Sequence, residues 1–125
     1  MVCFLRMSNC LSSLELKELG DSMVSESNRR IASIPDDLCA PFHTEARDLE
    51  SNLLTIYRLC AMLARKEQDL KEIAQIWGGM IGLCDTVAAV LNNLAQKHPQ
   101  CGAGSYYDRV LDLRNKCNRL KTLHE

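Results

Sequence analysis

Most of the motifs through which a sequence announces chemistry are missing here. There is no GxGxxG or GKS/T loop to cradle a phosphate, no GxSxG elbow, no HExxH helix and no CxxC pair. No Glu-x-x-His pair occurs either, which excludes the di-iron centres that helical bundles commonly house. Aromatic residues are scarce, at 5 % of the 125 residues, so any core must be largely aliphatic. No stretch alternates strictly between apolar and polar residues, and strands are therefore not expected. Charge of one sign is not in excess: 15 Lys and Arg stand against 16 Asp and Glu, a net charge of −1 with no overall pull toward nucleic acid or membrane.

Two further absences bear on location. The start, MVCFLRMSNCL, lacks a basic stretch followed by a long apolar run and a small-residue cleavage site. The longest apolar stretch, around QIWGGMIGLCD, is interrupted by Asp85 and is expected to be too short to cross a bilayer. Seven cysteines are present, an odd number, at positions 3, 10, 39, 60, 84, 101 and 117. Without an export signal these read as free thiols in a reducing compartment, placing the chain inside the cell, in cytoplasm or nucleus.

What is abundant is helical periodicity. Phe42, Ala46, Leu49, Leu53, Ile56, Cys60 and Leu63 are spaced by alternating four and three residues. Ile73, Trp77, Met80, Cys84, Val87, Leu91 and Leu94 repeat the pattern, as do Tyr106, Val110, Leu113, Cys117 and Leu120. An earlier segment is looser, with Leu16, Leu19, Met23 and Ile31. Punctuation divides these seams. Ser12-x-x-Glu15 has capping-box spacing, Pro35 ends the first helix, Pro41 opens the second, and Ser105 can cap the last. Between Leu63 and Ile73 the seams slip by one position, and Asp69 offers a new cap, so two helices are preferred there over one long one.

The expected fold is all-α: an antiparallel up-and-down four-helix bundle with helices at about 12–33, 41–66, 70–97 and 105–123. Residues 12–125 form one domain, preceded by an apolar, loosely ordered lead at 1–11.

Three features invite a functional reading. Gly78, Gly79 and Gly82 each cost about 1 kcal/mol in a helix, and Ala74, Gly78 and Gly82 form a small-residue stripe beside Trp77 and Met80. Small residues four apart allow another helix to approach closely, inside the bundle or from a partner. The last helix carries Arg109, Arg114, Lys116, Arg119 and Lys121, a face for phosphates or an acidic partner, or a solvated one. Cys39 and Cys101 fall in loops and are the better candidates for reactive thiols, with His43 one turn beyond Cys39. His43, His98 and His124 lie near helix ends, where capping or solvation outweighs a metal site.

Together these favour a non-enzymatic protein–protein interaction module, a small adaptor or subunit that needs no cofactor or metal. Its expected contact residues are Ala74, Trp77, Gly78, Met80, Gly82, Tyr107, Arg114 and Arg119. Helical segments of other proteins are the expected partners, and the seams also suit association between copies of the chain. The alternatives are a nucleic-acid-associated protein using the last helix, and a thiol-dependent enzyme or redox protein.

Overall fold

The computed structural model describes residues 13–102 and 104–124, so the lead at 1–11 lies outside the described residues. Four α-helices make up nearly all of them: α1 (Ser13–Ala32), α2 (Ala40–Lys66), α3 (Leu70–Lys97) and α4 (Gly104–Leu123). A short 3-10 turn, Pro99–Cys101, joins the last two, and no strand occurs among the described residues.

Local chemistry explains most helix ends. Pro41 stands in the first turn of α2, where its missing N–H costs nothing. Glu67 is extended and ends α2, and its carboxylate accepts from the backbone N–H groups of Gln68 and Asp69. Asp69 then caps α3 by accepting from the Lys71 N–H at 2.9 Å, so α2 and α3 are separate helices. Ser105, read from sequence as the α4 cap, is instead the second residue of that helix. Gly102 ends the 3-10 turn at φ 67°, a left-handed conformation that glycine adopts without penalty.

The α3 seam is the centre of the core. Ile73, Trp77, Met80, Cys84, Val87, Leu91 and Leu94 are all buried, and α3 touches each of the other helices. In α2 the seam from Phe42 to Cys60 is buried, with Leu63 at its edge. From α4 only Val110 and Cys117 are fully enclosed; Tyr106, Leu113 and Leu120 are half-buried.

The inward face of α1 differs from the one its apolar residues suggest. It runs Leu16, Gly20, Val24, Ser27 and Ile31, with Leu19 and Met23 displaced to its margin. Two of these positions carry no apolar signal. Gly20 lets α1 lie against α3: a Cβ there would stand 2.5 Å from Leu83 Cδ1. Ser27 donates to Glu45 Oε1 at 2.6 Å. Arg30 completes that buried carboxylate's shell with two bonds of 2.9 Å, from Nε to Oε2 and from Nη2 to Oε1. Burial pushes the Glu45 carboxyl up, but the bonds from Arg30 and Ser27 and the guanidinium charge hold it below its ordinary value.

By length and composition α3 is long and apolar enough to cross a membrane, despite Asp85, which overturns the expectation that this run is too short. Half of its most apolar window is buried against the other helices, as in the central helix of a packed core.

Candidate functional site

Two regions gather the residues singled out by sequence: the outer face of α3, and the end of the molecule where the α1–α2 loop meets the α3–α4 turn.

On α3, burial separates core from surface. Trp77 is 3 % exposed and Met80 1 %, so both side chains are packed into the core. Trp77 packs against Tyr57, ring centroids 5.6 Å apart, and forms the floor of a cleft of about 350 Å³ bordered by Ala61, Leu120 and His124. Gly78 faces inward, toward α4: a Cβ there would sit 3.6 Å from Lys121 Cε, an ordinary contact. Ala74 is half-buried beside it. Gly79 and Gly82 differ, because a Cβ on either would meet nothing within 4 Å. The open stripe therefore keeps Gly82 of the one read in sequence, with Gln75 and Gly79 taking the places of Ala74 and Gly78. Gln75, Gly79, Gly82, Thr86, Ala89 and Asn93 follow one another at spacings of four and three, all uncharged and mostly small. The Thr86 hydroxyl is turned back onto the Gly82 carbonyl at 3.0 Å, leaving its methyl outward.

The cations of α4 are largely committed within the molecule. Arg109 donates to both oxygens of Glu50 at 2.7 and 2.8 Å and lies over the Tyr106 ring. Arg114 bonds Asp85, Lys116 sits over the Tyr57 ring, and the Lys121 stem crosses Gly78. Arg119 remains exposed on the opposite side of its turn. Both tyrosines of the Tyr106-Tyr107 pair are half-buried.

At the loop end lies the largest departure from the sequence reading. Cys39 and Cys101, expected as free reactive thiols, are joined in a disulfide, with Cα atoms 5.3 Å apart across 62 residues. Cys39 is the N-cap of α2 and makes no side-chain cap bond. Lone cysteines carry no partner signal in sequence; the two are brought together only where the α1–α2 loop meets the α3–α4 turn. Around the bond, Gln100 Nε2 donates to the Asp36 carbonyl at 2.8 Å, and Lys97 Nζ donates to the Ile31 and Ala32 carbonyls that end α1.

The histidines divide three ways. His124 Nδ1 meets the Leu120 carbonyl at 2.8 Å, a C-terminal capping contact. His43 Nδ1 pairs with the Tyr106 hydroxyl at 3.1 Å, tying α2 to α4. His98 was expected to cap or be solvated; instead it is wholly buried, edge-on to Phe42, and neither ring nitrogen has a hydrogen-bond partner. His98 directly precedes the Pro99–Cys101 turn, and sequence spacing alone could not reveal that its ring is sealed.

Cys60, Cys84 and Cys117 are buried free thiols. Burial pushes Cys60 up to about 12, and its Sγ lies 3.9 Å from Met80 Sδ. Cys84 is pushed up as well, first by its hydrogen bond with Cys117 and then by burial. No group of three His, Cys, Asp or Glu among the described residues is arranged to hold a metal ion. Compared with known proteins, the chain matches no family model, curated protein or solved structure.

Proposed function

We propose that this chain is a non-enzymatic interaction module, a small adaptor or subunit of an intracellular complex, built as an antiparallel up-and-down four-helix bundle. The order of cross-helix pairs supports that course. Phe42 near the start of α2 meets His98 at the end of α3, whereas Tyr57 and Cys60 near the end of α2 meet Trp77 and Met80 in the first half of α3, as expected for opposite senses; Gly78–Lys121 and Asp85–Arg114 are ordered oppositely along α3 and α4. Gly20–Leu83 and Ile31–Lys97 rise together along α1 and α3.

The observation that carries the functional reading is the outer stripe of α3. From Gln75 to Asn93 it extends about 27 Å, with open space above Gly79 and Gly82. A solvated helix face ordinarily carries charge; this one offers a flat, small-residue track on which another helix can lie at short axial distance. Asp85, paired with Arg114 beside Thr86, supplies a polar group for the rim of such a contact. The nucleic-acid reading draws less support, because most α4 cations already have partners inside the molecule.

The test is a Gly79→Leu/Gly82→Leu double variant. Since both sites look into open space, the variant should keep the helical circular dichroism of the parent. It should lose the proteins that the parent retains on affinity purification, and any self-association seen by sedimentation. A folded variant that keeps every partner refutes the docking role of this face.

A further inference from the structure

We propose that the Cys39–Cys101 disulfide is a thiol-exchange site, opened by dithiol reductants, that latches the Pro99–Cys101 turn and so holds the adjoining His98 in its buried position. This goes beyond the docking role of α3 and does not depend on it.

The two sulfurs are unequal. Cys101 is buried, 7 % exposed, whereas Cys39 is half-exposed at the start of the 27-residue helix α2. An incoming thiolate therefore reaches Cys39 Sγ first, and the positive end of the helix favours the approach of an anion there. A bond forms between the reductant's sulfur and Cys39 while the Cys39–Cys101 bond breaks, and Cys101 leaves as a thiolate and takes up a proton. The reductant's second thiol then attacks its own sulfur in the mixed disulfide. Cys39 is expelled as a thiolate at the helix N-terminus, where it is a favoured leaving group. The protein ends as two thiols and the reductant as a disulfide, two electrons having moved to the protein.

What opening releases is set by His98. Its imidazole is wholly enclosed with both nitrogens unpartnered, an arrangement that disfavours the closed turn. Among the described residues the turn itself adds one exposed hydrogen bond to the α1–α2 loop, Gln100 to the Asp36 carbonyl, while Lys97, just before it, bonds the Ile31 and Ala32 carbonyls. Once the sulfurs part, the turn can lift and both nitrogens can bond water. The orphaned ring thus acts as a spring held down by the S–S bond, making this end of the molecule redox-responsive while the α2–α3 seam stays packed.

The test uses the full chain, oxidised and after dithiothreitol, with diethylpyrocarbonate labelling of His98 read by peptide mass spectrometry. Reduction should raise the His98 labelling rate roughly tenfold, the factor for relief of one unpartnered buried group, while the far-ultraviolet helical signal is kept. A Cys39→Ser/Cys101→Ser variant should label at the fast rate with or without reductant. Brief treatment with glutathione followed by alkylation should place the mixed disulfide on the Cys39 peptide. His98 labelling unchanged by complete reduction overturns the latch, and so does loss of the helical signal on reduction. Glutathione found on Cys101 overturns the assigned order of attack.

Discussion

Reduction of Cys39–Cys101 should lower thermal stability by an amount that the structure allows to be worked out. The bond closes a loop spanning 62 residues. In the chain-entropy picture, a closure of that size removes about 4 kcal/mol of freedom from the unfolded chain. Opposing this, reduction lets His98 regain hydrogen bonds, which returns about 1–3 kcal/mol. The net loss is then about 2 kcal/mol, and with an unfolding entropy of roughly 0.26 kcal/mol/K for a chain of this length the midpoint should fall by about 8 °C. A His98→Leu variant separates the two contributions. It removes the orphaned nitrogens, so the oxidised form should melt higher than the parent, and reduction should cost nearer the whole 4 kcal/mol, or about 15 °C. Differential scanning calorimetry of parent and variant, each with and without dithiothreitol, gives the four midpoints of this cycle. Equal drops on reduction in parent and variant would refute the coupling between ring and disulfide. Midpoints unchanged by reduction in both would refute the claim that the bond constrains the unfolded chain.

Other positions give sharper local tests. Gly20→Ala should destabilise by about 1 kcal/mol, overpacking against Leu83 outweighing the gain in helix propensity; in a Leu83→Ala background the same change should become stabilising in urea titrations. Gly79→Ala and Gly82→Ala, which meet open space, should each raise stability by roughly 0.5–1 kcal/mol, and a loss in either would mean that those sites are crowded. Glu45→Gln should cost about 2 kcal/mol by weakening the bonds from Arg30 and Ser27. Because the Glu45 carboxyl titrates lower in the folded chain than its ordinary 4.5, its contribution is full above that pH and fades as pH falls toward the folded value. Melting curves from pH 7 to pH 3 should therefore show the gap between parent and Glu45→Gln closing only at the acid end. In the oxidised protein at neutral pH, Cys60 and Cys84 should resist Ellman's reagent until denaturant is added; rapid labelling of either peptide would contradict their burial.

Sequence alone determined the helical class, the division into four helices and most of the core. Those follow from properties that act within a few residues: the 3.6-residue period of Phe42–Cys60 and Ile73–Leu94, the donor missing from Pro41, the carboxylate of Asp69 beside free N–H groups. The α1 face was only partly legible, because Gly20 and Ser27 take inward positions for reasons that lie on other helices, in Leu83 and Glu45. The small-residue stripe was legible as a pattern that includes Gly82, but which of the adjacent Gly78 and Gly79 looks into open space was not, since that depends on where Lys121 of α4 lies. Tertiary structure alone decided that Cys39 meets Cys101 and that His98 is sealed without a partner. Each of these depends on the distance between segments far apart in the chain. Spacing along a sequence carries no information about that distance until the helices have packed.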